Sequence, residues 1–325
     1  MEYRPLGRTG LTVSAVGLGG NVFGPPRQEL ASSIATVHRA LALGVNFIDT
    51  AYIYNEGRSE EYLGKALTGR RHEVILASKC HLMNLATGES VAGRIRSHCE
   101  TSLRRLDTDY LDLLQLHFAA PQVPAAEILD AFAPLVREGK VRHIGQCNYA
   151  AWRHAQTNAE ADRLNLPGFA TAQHQCSLLV RGAQLELLPF CTANDIGFLP
   201  YFPLAAGLLT GKYQPGAAPP PGSRGAAGSP TVSRLRTPQA ERTLSALTDF
   251  AAARGHGLLE LAFAWLLAQP AVSSVIAGAM NTAQLESNIA AGQWRLGTDE
   301  VAELDALLGP VVPHWQSEPD LTYFR

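Results

Sequence analysis

The chain has 325 residues with 27 Lys and Arg against 29 Asp and Glu, a formal net charge of −2, and 17% of its residues are charged while 46% are hydrophobic. That balance builds an ample core and offers no basic face, so neither nucleic acid nor an anionic membrane is expected as a partner. The five cysteines are odd in number and form no CxxC pair or metal-ligand spacing, and the opening MEYRPLGRTG has no apolar stretch of export-signal length, so reduced thiols, no metal and a cytoplasmic location are expected.

In chain order, YRPLGRTGLTVS sets a glycine-bounded turn between two short extended pieces and reads as a hairpin that caps the floor of whatever follows. Short apolar runs of strand length then recur at 15 to 19, 45 to 49, 73 to 78, 110 to 116, 141 to 146, 170 to 175, 196 to 201 and 272 to 277. Between them apolar residues return at three- and four-residue steps, as in Ile34, Val37, Ala40 and Leu41 or Ile95, Cys99, Leu103 and Leu106. Eight strands alternating with helices are the count that closes a parallel α/β barrel, the TIM-barrel class, and a single domain over residues 1 to 325 is expected, ending in an extra helix and a tail. The Pro- and Gly-rich stretch 214 to 230 reads as a long mobile loop after the seventh strand. Residues 261 to 285 carry no formal charge, but Pro270 splits them and polar residues follow, so a buried helix and a buried strand are expected there and no membrane span. The tail after residue 309 has no periodicity but holds Trp315, Tyr323 and Phe324, which suggests a segment lying on the barrel.

In such a barrel the chemistry belongs at the C-terminal ends of the strands. The second strand ends at Asp49 and leads into Tyr52 and Tyr54, the third ends at Ser78 and Lys79, and the fourth ends at His117. Each has a plainer reading as a helix-entry cap, a packing ring, a snorkelling lysine or a core histidine. Together they bring an acid, a phenol, an amine and an imidazole to one place. A lysine paired with an aspartate would favour the phenolate of a nearby tyrosine, whose free pKa of about 10 otherwise makes it a poor acid or base at neutral pH.

The segment GVNFIDTAYIYNEGRSEEYLGKAL, residues 44 to 67, resembles the signature of the aldo-keto reductases. LDLLQLH (111 to 117), GKVRHIGQCN (139 to 148) and YFPLAAGLLTGKY (201 to 213) resemble three further blocks of that family in the same order, so the resemblance covers essentially the whole chain. It implies a (β/α)₈ barrel and an NAD(P)H-dependent enzyme that reduces aldehydes and ketones to alcohols by hydride transfer. Asp49, Tyr54, Lys79 and His117 would be its catalytic residues, Tyr54 acting as the general acid, and Tyr52 would belong to the pocket or the packing.

The same resemblance implies NADP, with NAD possible, held by Asn148 and Gln173 at the carboxamide and by Tyr201 through stacking, with Phe202 and Leu204 in the same block. Gly207, Leu208 and Lys212 would lie near the pyrophosphate. Gly278, Met280, Gln284 and Asn288 fall in the adenosine-phosphate block VIAGAMNTAQLESN, which supplies no Arg or Lys, so any grip on a 2′-phosphate is expected from Lys212 or Arg224. No GxGxxG follows a strand, because Gly17, Gly19 and Gly20 lack its spacing. Cys147, Cys176 and Phe202 stand where the family pattern has other residues, which implies a slightly altered cofactor pocket. Phe23, Tyr52, Phe118 and Trp152 are candidate substrate-pocket walls, with the 214 to 238 loop and the C-terminal aromatics as possible lids. A nucleotide-binding regulatory or redox-sensing subunit with little turnover, and an NAD-dependent sugar or alcohol dehydrogenase, are the competing readings. The physiological substrate and the oligomeric state are not legible.

Overall fold

The structure is a computed structural model that describes residues 1–214 and 216–311. Two short strands, β1 (Tyr3–Pro5) and β2 (Thr12–Ser14), form an antiparallel hairpin. Eight parallel strands follow, β3 (Val16–Gly19), β4 (Phe47–Asp49), β5 (Ile75–Cys80), β6 (Leu111–Leu116), β7 (Val141–Cys147), β8 (Phe169–Gln175), β9 (Gly197–Tyr201) and β10 (Val275–Gly278). They lie in the order β10-β3-β4-β5-β6-β7-β8-β9. The seam between β9 and β10 is bridged by Phe198, whose N–H donates to Ala271 O at 2.8 Å and whose carbonyl accepts from Ser273 N at 3.0 Å. The result is a nearly closed (β/α)₈ TIM barrel, as the sequence predicts.

The barrel helices are α1 (Leu30–Ala42), α2 (Arg58–Ala66), α3 (Val91–Leu106), α4 (Ala125–Arg137), α5 (Ala151–Leu164) and the short α6 (Leu187–Ala193). Between β9 and β10 run α7 (Pro230–Leu235), α8 (Pro238–Ala252) and α9 (Leu258–Leu267), and after β10 come α10 (Thr282–Ala291) and the additional α11 (Thr298–Leu308). The periodic apolar residues bury as expected: Ile95, Cys99, Leu103 and Leu106 all face the sheet, and Ser90 caps the start of α3 by accepting from Gly93 N at 3.0 Å. The uncharged stretch 261 to 285 is most of the buried helix α9 followed by β10 and the start of α10, and among the described residues no helix is long and apolar enough to cross a membrane.

Side chains of a strand alternate between faces, and this places the polar residues. Phe47, Ala77 and Leu113 fill the barrel interior together with Leu199, Ile276 and the hairpin's Leu6 and Val13. Two residues further along the same faces stand Asp49, Lys79 and Gln115, one layer nearer the C-terminal end. The hairpin caps the floor as predicted, with Arg8 N donating to Asp195 O at 2.8 Å.

Two expectations change. Pro230, assigned by sequence to the 214 to 230 loop, is the first residue of α7, a position where its missing N–H costs nothing. The loop itself is tied down, since Tyr213 Oη accepts from Gly225 N at 3.1 Å and Arg236 donates to the carbonyls of Gln214 and Ala217. The tail with Trp315, Tyr323 and Phe324 lies outside the described residues.

Candidate active site

The end of β4 and the end of β5 bring Asp49 and Lys79 together inside the barrel, with 2% and 1% of their surface exposed. The Lys79 ammonium spends its three N–H donors on Asp49 Oδ2 at 2.6 Å, Thr50 O at 2.7 Å and Tyr54 Oη at 3.3 Å. Asp49 Oδ1 accepts from Gln173 Nε2 at 2.9 Å and from Gln115 Nε2 at 3.3 Å. The carboxylate is therefore satisfied on both oxygens, which a buried ion pair requires if it is to hold one geometry. The Tyr54 and His117 rings meet edge to face at 5.6 Å, so all four sequence-predicted side chains converge.

The electrostatics partly reverse the sequence argument. Burial pushes the Tyr54 phenol up; Lys79 pulls it down, as expected, and Asp49 pushes it up again, for a net rise to about 12. A tyrosine in this state is protonated at neutral pH, the form a proton donor needs. Burial alone would lower the Lys79 ammonium, but Asp49 and then Tyr54 hold it above the ordinary lysine value. Burial, with Lys79 adding to it, drives His117 well below the ordinary histidine range, so its imidazole is neutral.

Above these residues opens a cavity of about 930 Å³, at the upper end of the roughly 300 to 1,000 Å³ usual for small-molecule sites. Asp49, Tyr54 and His117 line it, while Lys79 lies behind them. Asn148, Gln173, Tyr201, Phe202 and Leu204 form the adjoining wall. Asn148 is held by its neighbours, donating to His117 O at 3.0 Å and accepting from Tyr201 Oη at 2.8 Å. Gly207, Lys212 and Arg224 line the side supplied by the segments after β9, and Gly278, Met280, Gln284 and Asn288 line the far end at the start of α10. There the Asn281 side chain caps the helix by accepting from Gln284 N, and Gln284 Oε1 accepts from Met280 N, both at 2.9 Å.

Other sequence expectations do not reach the cavity. Leu208, expected near the pyrophosphate, is fully buried in the apolar cluster under the 205 to 210 turn, because an apolar side chain gains more from that core than from a polar wall. Phe23 is fully buried, Phe118 stacks on His117 at 4.2 Å, Tyr52 stacks on His98 at 3.8 Å and Trp152 is 64% exposed; none of these proposed pocket walls lines the cavity. Cys147 does line it, with its thiol pushed up by burial, whereas Cys176 packs into the core.

Sequence reasoning missed Arg27, which lines the cavity from the loop after β3 and donates to Asn21 O at 3.3 Å. Its place in the first βα loop was the available cue, since every such loop opens on this end of the barrel. It also missed Gln115 and Thr50, which complete the hydrogen bonds of Asp49 and Lys79 and carry no motif of their own. Among the described residues no group of three or more His, Cys, Asp or Glu could hold a metal ion.

The donor set suits a nicotinamide dinucleotide. Three cations, Arg27, Lys212 and Arg224, and the N-terminus of α10 border one cavity, which matches phosphates, and Tyr201 offers a ring at the wall of the same cavity as Tyr54. The family model described as the Aldo/keto reductase family matches residues 15–308. The chain belongs to the aldo/keto reductase family. Among its relatives, "Uncharacterized oxidoreductase YrpG" of Bacillus subtilis is 36% identical over 95% of this chain and 97% of the relative. L-galactose dehydrogenase of Arabidopsis thaliana is 32% identical over 96% and 95%. "Probable voltage-gated potassium channel subunit beta" of the same plant is 33% identical over 90% and 91%. As an aldo/keto reductase the protein is an NAD(P)H-dependent oxidoreductase whose general chemistry is carbonyl reduction.

Proposed function

We propose that this reductase converts aldehydes and ketones to alcohols with Tyr54 as proton donor, and that it uses NADP more readily than NAD. The observation that supports this most is the triple commitment of Lys79 to Asp49, Thr50 and Tyr54 at the base of the cavity. A nicotinamide nucleotide, when bound, would supply the hydride for the carbonyl carbon. Tyr54 Oη gives its proton to the oxygen as charge develops there, and the Lys79 ammonium 3.3 Å away stabilises the phenolate left behind. Asp49 keeps Lys79 charged and in place. The neutral His117 imidazole hydrogen-bonds the carbonyl oxygen and so orients it. Asn148, Gln173 and Tyr201 hold the nicotinamide end, and Lys212, Arg224 and Arg27 the phosphates.

Tyr54→Phe keeps the ring and deletes the donor. Reductase activity is expected to fall by at least ~10²-fold with nucleotide affinity unchanged, as titration of NADPH and NADH would read. Retention of most activity in Tyr54→Phe would remove this residue from the role, and an equal loss in Tyr52→Phe alone would assign it to the other tyrosine. Arg224→Ala should weaken NADPH by about tenfold and leave NADH nearly alone, the loss of one charge-assisted contact.

A further inference from the structure

The turn that carries Tyr54 is an unlikely shape for its sequence. Asn55 (φ 48°), Glu56 (φ 56°) and Gly57 (φ 91°) are three successive left-handed residues, so something outside the turn must hold it. On one side, Asn55 Nδ2 donates to Phe23 O at 2.5 Å. On the opposite side lies Arg105, from the last turn of α3. Its Nη1 donates to Tyr52 O at 2.9 Å and to Glu60 Oε2 at 3.1 Å, and its guanidinium sits 4.7 Å from the centre of the Tyr52 ring. It also fills the space beside Gly57, where a Cβ would lie 2.3 Å from Arg105 Cζ. Glu60 is fully buried, and its other oxygen, Oε1, accepts from Ser78 Oγ at 2.6 Å. Ser78 is the residue before Lys79.

We propose that Arg105 and Glu60 form a positioning pair that sets the approach of Lys79 to Tyr54. One end of the pair grips the backbone two residues before Tyr54, and the other grips the strand residue next to Lys79. Neither side chain lines the cavity, so the pair acts through the two residues it spaces and not on substrate. A hydrophobic pair of the same volume would fill this space but could not hold the Tyr52 carbonyl, which fixes the path of the turn. The inference rests on the reading of Tyr54 as proton donor. It predicts that loosening the pair lengthens the Lys79 to Tyr54 contact and removes the attraction that favours the phenolate, so the Tyr54 pKa rises further. Alcohol oxidation, which needs the phenolate, would then gain its rate only at higher pH.

The test compares the wild-type enzyme with Arg105→Met/Glu60→Gln, which leaves no buried charge without its partner, and with Arg105→Lys, which keeps the charge and a donor but lacks the planar guanidinium that lies beside Gly57 and over the Tyr52 ring. Expected for the double variant are a kcat lower by about tenfold to 10²-fold, unchanged nucleotide affinity, and a rising limb of alcohol oxidation moved to higher pH, with Arg105→Lys restoring part of both. Wild-type kcat and an unmoved limb in the double variant, with or without a lower Tm, would overturn the proposal by reducing the pair to a stability element. If the double variant does not fold, Arg105→Lys decides on the same two readouts. Tyr54→Phe measured alongside separates the two ideas: an active Tyr54→Phe sinks the donor reading, whereas an inactive one beside an unaffected double variant sinks only the pair.

Discussion

The two ends of the barrel close in different ways. At the N-terminal floor the hairpin inserts Leu6 and Val13 among Phe47, Ala77 and Leu113, and Gly7 presses on the backbone of Gly197 and Ala170. Non-glycine residues with positive φ at that end are Asp107, Asn165 and Asp195, at or just beyond the ends of α3, α5 and α6, where short polar side chains tolerate the left-handed region. At the C-terminal mouth the same backbone conformation falls on Asn55, Asn84 and Asn148 but also on Glu56, Phe202, Ala205 and Ala206, which gain nothing from it locally. Left-handed backbone is thus confined at the floor to residues that tolerate it, whereas at the mouth it also falls on residues that do not, in the turns that follow Tyr54 and Tyr201. The floor spends its interactions on stability and the mouth spends stability on position.

If that division holds, mutations at the mouth should damage rate more than stability, and those at the floor the reverse. The largest effect is expected for Lys79→Met and Asp49→Asn, each lowering reductase activity by ~10²-fold or more, with the double mutant far less damaged than the product of the two. Additive losses in that cycle would mean that the residues serve separate purposes. At the floor, Gly7→Ala places a Cβ 2.4 Å from Gly197 N on a backbone with φ 51°. Overlap and left-handed strain together should cost about 2 to 4 kcal/mol in denaturant unfolding while leaving kcat at the wild-type value. A Gly7→Ala enzyme that is fully stable, or one that is stable but slow, breaks the comparison.

Acid should find the mouth. His98 stacks on Tyr52 and accepts from His81 N, and burial, then His81 and Arg94, lower it to about 3; burial lowers His81 to about 4. The unfolded chain takes up protons near pH 6.5 that the folded chain refuses, so this stability is fully present above about 6.5 and is lost as pH falls toward 3. At pH 5 the loss through His98 should reach up to about 2 kcal/mol, and His98→Gln should flatten the dependence of Tm on pH between 7 and 5. His117, also held neutral, predicts no step in the reductase pH profile near 6.5.

The barrel was legible because short apolar runs mark strands buried on both faces and three-to-four-residue steps mark the buried faces of helices, and eight such pairs admit few folds. The four convergent side chains were legible because strand ends in a parallel barrel share one mouth. What sequence concealed were contacts between segments far apart in the chain: Gln115 on Asp49, Arg105 under Gly57, Arg27 at the cavity edge. The sign of the Tyr54 shift was also hidden, because Lys79 is visible as a motif whereas burial, the larger influence, is a property of the whole fold. The proposed pocket aromatics failed for a related reason, since an aromatic next to a site gains most by packing behind it, as Phe118 does on His117.

The smallest effect tests the strain itself. Ala206 lines the cavity in the turn 205 to 210 with φ 58°, where an alanine pays about 1 kcal/mol that glycine does not. Glycine also enlarges the freedom of the unfolded chain, which returns part of that gain. Ala206→Gly should therefore stabilise the protein by about 0.5 kcal/mol or leave it unchanged, whereas Ala131→Gly, in the interior of α4 at ordinary helical dihedrals, should destabilise it by about 1 kcal/mol. The opposite signs matter more than the sizes, because propensity alone makes both substitutions unfavourable. The released turn should then hold Gly207 and Lys212 less firmly, so NADPH affinity should fall even as Tm holds or rises. Destabilisation of Ala206→Gly to the same extent as Ala131→Gly would show that the backbone at the mouth is relaxed, and that the contrast between the two ends lies in their side chains alone.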